Sequence, residues 1–311
     1  MTLLNTSRMN PYFVVFVGVI SVSTSAIFVK LADAPSGVTA FYRLLFSVLI
    51  MLPVFLLKYV GELKSVTRKD WLSSIIAGVF LAFHFILWFE SLNYTSVASS
   101  TVLVTLQPLF AFIGGALFFK ERITAAMVTS GIIAIIGSVL ISWGDFRISG
   151  LALWGDFLAL IACALITFYL FFGQSVRKRV SLMTYTFIVY SVSTITLFVY
   201  VLAKHEPLAP YSPPQWIYFL LLAVVPNLLG HTLFNWSIKF VSTSIISIAI
   251  LFEPVGATIL AYYILGENVV LTQILGGSIV IIGITTFLLN ERKVKKNKRG
   301  EKNGNQSGAS E

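Results

Sequence analysis

Two stretches decide the fold: QPLFAFIGGALFFKER, residues 107–122, and EPVGATILAYYILGEN, residues 253–268. Each is an apolar run that opens with a polar residue and a proline, and in each a glutamate follows the proline by 13 residues. A shift of 146 residues superimposes the two stretches without a gap. The same shift aligns Ser91 with Ser237, Ser96 with Ser242, Gly131 with Gly277 and Gly137 with Gly283. The chain therefore contains an internal repeat.

The composition around these stretches is that of a membrane protein. Of 311 residues 57% are apolar and 11% charged, and the mean hydropathy is +0.88. Soluble domains carry roughly 25% charged residues, whereas a helix that crosses a bilayer needs about 20 apolar residues. We predict an all-α polytopic protein with ten transmembrane helices, near residues 11–30, 36–57, 71–92, 96–119, 124–143, 151–173, 181–203, 215–238, 242–265 and 269–290.

The repeat divides these helices into two groups of five. Residues 1–143 form the first five-helix repeat and residues 150–290 the second. Because five is odd, the second repeat enters the membrane from the opposite side. Inverted repeats are typical of transporters whose substrate site lies near the membrane midplane between the halves. We therefore expect two inverted repeats around a central cavity.

The positive charges predict the orientation, since cytoplasmic connections collect Lys and Arg. With the N-terminus inside, the outer connections hold only Lys30, Arg147 and Lys204 of the 22 basic residues, and both termini are cytoplasmic. Cleavage of the first span as a signal peptide would instead place the termini on opposite sides. Residues 291–311 read as a disordered basic tail. The net charge of +9 indicates contact of the inner loops and tail with anionic lipid, not with nucleic acid.

The sequence resembles a known family at these positions. The repeated proline–glutamate block, the glycine-containing spans after it and WGDFLALIACALITFYL at residues 154–170 are similar to the EamA-type transporters of the drug/metabolite transporter superfamily. The resemblance implies a ten-helix carrier whose cavity is lined by the first four helices of each half, with each fifth helix peripheral. It also implies transport of small metabolites, often export of amino acids or related compounds.

Glu253 is the foremost candidate for a functional group. A carboxylate costs about 2.5–3.5 kcal/mol at the centre of a bilayer, yet its neighbours on the same helix face, Ala249, Gly256 and Ala257, are small. We expect this face to point into protein or a cavity. Glu253 could bind a cationic part of the substrate or carry a coupling proton, or it could brace a bend at Pro254. Gln107 and Pro108 occupy the matching places, so the prolines predict paired bends.

Other polar side chains inside the spans are further substrate-binding candidates. Asn227, His231 and Asn235 form one stripe along the eighth span, which would face the cavity or bond a neighbouring helix. His84 and Trp88 share a face of the third span with Ser91. They could stack a substrate, or Trp88 could be an aromatic of the membrane interface.

Arg43 lies within the second span. Its guanidinium could receive a substrate carboxylate, or it could pin helices together, with Glu90 as one possible partner. Nearer the span ends, Glu121 and Glu267 suggest structural roles, and Lys30, Asp33 and Asp156 are predicted to be solvated.

The remaining motifs limit the class of function. The sequence contains no nucleotide-binding motif, no metal-ligand spacing of His and Cys and no nucleophile–base motif. We therefore predict a secondary transporter of small metabolites, an exporter in the cytoplasmic membrane, without a cofactor, metal or catalytic residue and with possible proton coupling. The alternative is an intramembrane enzyme that acts on a lipid-linked substrate.

Overall fold

The computed structural model describes residues 10–107, 109–110, 114, 125–148, 150–237, 249–250, 252–283, 285–286 and 289. Regular secondary structure within these residues is helical throughout. A helix bonds its own backbone polar groups, which a chain in hydrocarbon requires because no water is available there. The predicted all-α class is confirmed.

We number the helices after the predicted spans. In the first half these are α1 (Pro11–Ala32), α2 (Ser36–Lys58), α3 (Arg68–Ser91), α4 (Val97–Val104) and α5 (Ala125–Ile148). In the second half they are α6 (Ala152–Val176), α7 (Leu182–Ala203), α8 (from Pro213–Leu222 to Thr232–Ser237), α9 (Glu253–Leu265) and α10 (Leu271–Gly283).

Within the part of the chain that the structure describes, six helices are long and apolar enough to cross a membrane, namely α1, α2, α3, α6, α7 and α8. Three shorter apolar helices lie at Val128–Ile141, Glu253–Leu265 and Leu271–Gly283. Many large apolar side chains point outward, among them Ile135, Val199 and Leu271. A water-soluble protein of this size would bury most of them. The protein is a multi-pass membrane protein, and the number of ten spans stays a prediction.

Hydroxyl side chains set the starts of several helices. Thr67, Ser96 and Ser181 precede α3, α4 and α7, and each accepts a hydrogen bond from the backbone N–H three residues later. Such N-caps satisfy donors that have no partner inside the helix. They explain why the apolar runs begin as helices at these positions.

The two halves pack against each other through helix contacts that recur when the halves are interchanged. Helix α3 packs along α6, and its counterpart α8 packs along α1. Helix α2 packs on its own counterpart α7, and α4 packs on α9. A twofold relation between two repeats produces this pattern, because every contact must recur with the halves exchanged. The predicted two-repeat layout therefore fits the observed packing.

The fifth helices of the two halves also meet, through glycines. A Cβ built on Gly137 of α5 would lie 2.7 Å from the carbonyl oxygen of Gly276 in α10, and one built on Gly276 would lie 2.6 Å from the carbonyl oxygen of Gly137. Small residues let membrane helices approach this closely. The glycine pattern of the fifth spans is thus a packing feature.

Several helices are interrupted midway. Helix α1 breaks at Thr24, α4 ends before Thr105 and Leu106, and α8 contains a π-helical segment, Ala223–His231. Helix α9 begins at Glu253 after a turn at Phe252. Leu106 and Phe252 are equivalent under the 146-residue shift. The repeat thus places an interruption at the same position in both halves.

The interruption corrects the predicted bend at Pro254. We expected proline to bend a continuous helix, but Pro254 lies in the first turn of α9, where a missing N–H breaks no helical bond. The helix restarts at Glu253, after the turn at Phe252, so Pro254 does not lie inside a continuous helix. Pro108, the predicted partner of Pro254, lies outside the described residues, so the pairing of the two prolines stays a prediction.

Candidate functional site

Asn227 lies in the π-helical segment of α8 and is buried. Its Nδ2 donates a hydrogen bond to Ser47 Oγ at 2.8 Å, and its Oδ1 accepts a longer one from Arg43 Nη2 at 3.4 Å. Segments of π-helix occur frequently at functional sites. This one turns an amide of the second repeat toward α2 of the first, so Asn227 joins the two halves.

Arg43 is the centre of this polar cluster and is only 1% exposed. Its Nη1 donates to Ser25 Oγ of α1 at 2.8 Å, and its guanidinium carbon lies 4.3 Å from the centroid of the Phe85 ring. Burial of a charge is costly unless polar partners compensate for it. These contacts and the cation–π interaction provide part of that compensation.

The charge on Arg43 has no carboxylate at ion-pair distance among the described residues. Glu253 and Tyr190 are the groups that interact with it electrostatically. Glu90, considered above as a partner, instead accepts hydrogen bonds from Ser36 Oγ at 2.7 Å and from Asn93 Nδ2 at 3.4 Å. The pairing with Glu90 is therefore wrong in this conformation, and the choice between substrate contact and a link between helices stays a prediction.

Glu253 opens α9 beside the break in α1. Ser23 Oγ donates to the backbone oxygen of Glu253 at 3.2 Å, and a Cβ on Gly256 would lie 2.4 Å from Ser23 Oγ. Ala257, on the same face, is buried. The expected small-residue face therefore packs against α1. Glu253 is half-buried as a whole residue, while its carboxyl group lies deep within the molecule.

Gln107 resembles Glu253 in its setting. It follows the interruption of α4 directly, as Glu253 follows that of α9, and its side chain is also half-buried. Helices α4 and α9 pack on each other. The repeat thus places two polar side chains, one from each half, after matched breaks in two neighbouring helices.

His84 and Trp88 lie between α3 and α6. Their rings stack at a centroid distance of 5.8 Å, as their spacing allows, and His84 Nδ1 lies 2.9 Å from the carbonyl oxygen of Ala162. Trp88 is only 4% exposed, so the interfacial role considered for it is wrong. Its indole N–H has no hydrogen-bond partner among the described residues.

The other predicted site residues are located less completely. His231 ends the π-helical segment and Asn235 lies in the last helical segment of α8. Their side chains are outside what the structure describes, so their orientation stays a prediction.

The structure also tests the predictions made for two residues near helix ends, Glu267 and Asp156. Glu267 accepts the N–H of Val97 at 2.9 Å and lies 3.6 Å from Lys30 Nζ, which matches its predicted structural role. Asp156 was predicted to be solvated but is buried, accepting from Thr95 Oγ1 at 3.0 Å, so that prediction is wrong. Glu121 lies outside the described residues.

Sequence reasoning missed two members of the Arg43 cluster, Ser47 and Tyr190. Ser47 lies one helical turn after Arg43 and donates to its carbonyl oxygen at 2.8 Å. Tyr190, on α7, is directed at Asn227 and interacts with Arg43. The sequence offered one indication of Tyr190, because the 146-residue shift superimposes Arg43 on position 189, next to Tyr190.

Comparison with known proteins identifies the fold described above. The model of the EamA-like transporter family matches residues 9–143 and, a second time, residues 153–289. The chain belongs to the EamA-like transporter family. A solved structure titled only as a crystal structure of a protein shares the fold, with a TM-score of 0.63 and 17% identity over 91% of this chain and 98% of that one.

Proteins with similar sequences occur in bacteria and in a plant. The uncharacterized transporter YxxF of Bacillus subtilis is 26% identical over 228 residues, which cover 73% of this chain and 72% of that protein. A WAT1-related protein of Arabidopsis thaliana is 24% identical over 279 residues, covering 82% and 80%. The riboflavin transporter ImpX of Fusobacterium nucleatum is 22% identical over 199 residues, covering 62% and 66%. This EamA-family protein is therefore a transporter.

Proposed function

We propose that this EamA-family protein is a secondary carrier that exports small polar or amphipathic metabolites, such as amino acids and related compounds, by alternating access. The placement of Glu253 carries the proposal. Its carboxyl group lies deep in the molecule, at a helix break that recurs in the other repeat, and it interacts electrostatically with Arg43. Ionisable groups within membrane helices usually face a transport pathway.

The proposed substrate site lies between the repeats. Glu253 binds a cationic part of the substrate or carries a coupling proton, and Gln107 supplies an uncharged polar contact from the other half. Asn227, His231 and Asn235 contribute polar groups from α8, and His84 with Trp88 contributes aromatic surface. Their assignment as substrate contacts rests on residue type and on position in the repeats.

Arg43 has a different place in this proposal. It is fully buried and already bonded to Ser25 and Asn227, so a substrate carboxylate reaches it only if those bonds give way. Because the cluster joins α2 of one repeat to α8 of the other, a rearrangement of the repeats would alter it. Arg43 therefore serves as a fixed positive charge near Glu253 and as a link whose bonds change between access states.

The proposed location is the cytoplasmic membrane, with both termini inside. The connections between α2 and α3 and between α6 and α7 meet at one end of the molecule, where Arg179 pairs with Asp70. These two connections and the adjoining helix ends are rich in basic residues: Lys58, Lys64, Arg68, Lys69, Arg177, Lys178 and Arg179. Basic connections favour the cytoplasmic side and attract anionic lipid.

Counterflow in liposomes tests the proposal. Candidate compounds are first chosen by comparing metabolites inside and outside cells that contain or lack the protein. Purified protein is then reconstituted into liposomes preloaded with an unlabelled compound, and entry of the labelled compound is followed. The panel includes amino acids and, because one relative carries its name, riboflavin. A carrier produces transient accumulation of label that protein-free liposomes lack.

One combination of results would contradict the carrier proposal. If no compound of the panel is exchanged, and purified protein in micelles instead converts a lipid-linked compound into product, the carrier proposal fails. Such conversion needs no transmembrane gradient, so it separates an intramembrane enzyme from a transporter. Exchange without product formation supports the carrier.

A further inference from the structure

A carboxylate from the first repeat holds the start of α7 at the basic end of the molecule. Glu62, in the connection between α2 and α3, accepts the backbone N–H of Ser181 at 2.7 Å and the Ser181 hydroxyl at 2.5 Å. The Thr184 hydroxyl also donates to it. We name Glu62, Ser181 and Thr184 the Glu62 clasp. Negative charge at a helix N-terminus is favourable, because the free N–H groups and the helix dipole are positive there.

A second carboxylate holds the start of α2 at the opposite end. Glu206 lies in the connection between α7 and α8, and its Oε2 is 2.6 Å from the position that a Cβ on Gly37 would take. The N–H of Val38, in the first turn of α2, is directed at the same carboxylate. We name Glu206, Gly37 and Val38 the Glu206 clasp.

The two clasps are related by the repeat. In each, the connection that follows the second helix of one half places a carboxylate at the N-terminus of the second helix of the other half. They lie at opposite ends of the molecule, because α2 and α7 begin at opposite ends. Each clasp therefore holds the two repeats together at one side of the membrane.

The connection that carries Glu206 is well fixed. Helix α7 ends with His205 in a left-handed conformation, φ 55°, and the N–H of Glu206 bonds back to the oxygen of Val201 at 3.0 Å. Farther along, the Tyr42 hydroxyl of α2 donates to the oxygen of Leu208 at 2.8 Å. These bonds aim Glu206 at α2, so its position is a product of the fold.

The two clasps differ in how many hydrogen-bond donors compensate the negative charge of the glutamate. Burial alone would raise the pKa of Glu62, but hydrogen bonds from Ser181 and Thr184 outweigh it, and the pKa lies below its ordinary value. At the other end, Glu206 Oε2 is buried without a hydrogen-bond partner among the described residues. One carboxylate is saturated with donors and the other is not.

A second acid lies beside the under-compensated one. Glu90 of α3 bonds to Ser36 Oγ in the first turn of α2, next to Gly37. Burial first, and then the charge of Glu90, raise the pKa of Glu206, while Lys204 and the Val38 N–H act in the opposite direction. The hydroxyls of Tyr200 and Tyr211 are the other titratable groups that interact with Glu206.

We propose that the Glu206 clasp is a proton-operated closure, which holds its end of the carrier shut when Glu206 is protonated and releases that end when Glu206 and Glu90 are both charged. The Glu62 clasp is its counterpart at the other end, where the carboxylate is already bonded to Ser181 and Thr184 and opening does not depend on its protonation. The inference deepens the proposed carrier function and relies on it for the meaning of opening and closing.

The direction of the effect follows from proton linkage. When the end opens, Glu206 meets water and its pKa returns toward the ordinary carboxyl value. Because the pKa is raised in the closed structure, the closed form binds the proton more tightly. Closure is therefore complete below the ordinary carboxyl pKa and is lost as pH rises through the raised value. In the predicted orientation this end faces outside, so external acid closes it.

Distance measurement by electron spin resonance tests the closure without any substrate. The lone cysteine Cys163 is replaced by alanine, and spin labels are attached through Tyr94→Cys, between α3 and α4, and Pro214→Cys, at the start of α8. Both positions are at the protein surface. In lipid nanodiscs the wild-type background is expected to show a short distance near pH 4.5 and a growing long-distance population toward about pH 8.

Variants assign the effect to the proposed residues. Glu206→Gln mimics the protonated acid and should stay closed at every pH, while the matched change Glu62→Gln should leave the pH dependence at this end intact. Glu90→Gln removes the neighbouring negative charge that favours release, so the long-distance population near pH 8 should shrink. This loss of opening tests the idea even if Glu206→Gln misfolds.

Two results overturn the inference. One is a wild-type distance distribution that does not change with pH, and the other is full pH dependence in a folded Glu206→Gln protein. Neither result depends on transport. A carrier that exchanges metabolites with a pH-invariant distance refutes only the closure, whereas a working closure in a protein that moves nothing refutes only the carrier.

Discussion

At the scale of single residues, Arg43 and Glu253 define the interior of the molecule. Arg43 is buried and bonded to Ser25 and Asn227, while the carboxyl group of Glu253 lies deep in the molecule at the start of α9. The two interact electrostatically but form no direct ion pair in this conformation. A separated pair of opposite charges leaves Glu253 able to bind another positive group. We regard this separation as the feature that suits the site to a substrate or a proton.

The bond between Arg43 and Asn227 can be measured by a double-mutant cycle. Arg43→Lys keeps the charge but loses the planar fork that reaches two partners at once, and Asn227→Ala removes the amide. Because the two side chains share one network, we expect a coupling free energy of about 0.5–2 kcal/mol. The free energy of unfolding in mixed detergent micelles provides the measurement.

The control for this cycle pairs Arg43→Lys with Thr196→Ala. Thr196 is a helix-facing hydroxyl that bonds only the Val192 carbonyl of its own turn, at 2.9 Å. Its change should add to that of Arg43→Lys without coupling. Additive behaviour of Arg43→Lys and Asn227→Ala would show that the 3.4 Å contact contributes nothing.

Part of the site could be predicted from sequence at this scale. The small residues around Glu253 indicated a packed face, and Gly256 indeed admits Ser23. The partners of Arg43 could not be identified, because Asn227 is 184 residues away and reaches it only through the packing of α8 on α2. The burial of Asp156 was missed for the same reason, since its partner Thr95 lies in the connection between α3 and α4, far away in the sequence.

At the scale of helices, length and hydropathy predicted where the chain is helical but not where helices break. A proline in an apolar run is compatible with a kink inside a helix or with the first turn of a new one. Pro254 follows the second pattern, since it lies in the first turn of α9, and Ser23 of α1 donates to the backbone oxygen of Glu253 beside it. Pro226 lies inside the π-helical segment of α8, which no periodicity in the sequence indicated.

The glycine contact between α5 and α10 makes a prediction at this scale. Gly137→Val places a branched side chain against the Gly276 carbonyl, so the helices must separate. We expect a loss of about 1–3 kcal/mol in the free energy of unfolding. Gly131→Val on the same helix is the matched control, since the nearest atom to its Cβ, Leu109 Cδ2, is 3.7 Å away. Equal effects of the two changes would contradict close packing at Gly137.

At the scale of the whole molecule, the repeat organises both the fold and the site. The 146-residue shift was visible in the sequence because the same packing problem recurs in each half. The exchanged helix contacts and the interruptions at Leu106 and Phe252, which were not predicted, follow the same repeat. The differences between the halves were not visible in this way. Each clasp is formed by a connection between helices, and the 146-residue shift does not superimpose Glu62 on Glu206. The electrostatic environment of Glu206 also depends on Glu90, which belongs to a third helix, α3.

Because the two ends differ in this way, the proposed control by protons acts at one end of the carrier. A symmetric protein would respond to protons equally at both ends, whereas here Glu62 is saturated with donors and Glu206 is not. The central carboxylate and the closure therefore have separate roles. In the two proposals, Glu253 acts where the repeats meet in the middle, and Glu206 acts where they meet at one end.

The most direct test of the central claim is the pH profile of metabolite exchange by Glu253→Gln in liposomes, compared with the wild type and with Glu267→Gln. Glu267 lies just beyond the other end of α9 and holds the start of α4 through the Val97 N–H. We predict that Glu253→Gln abolishes exchange or removes its pH dependence, while folded Glu267→Gln retains the wild-type profile. An unchanged rate and an unchanged pH profile in Glu253→Gln would contradict the account.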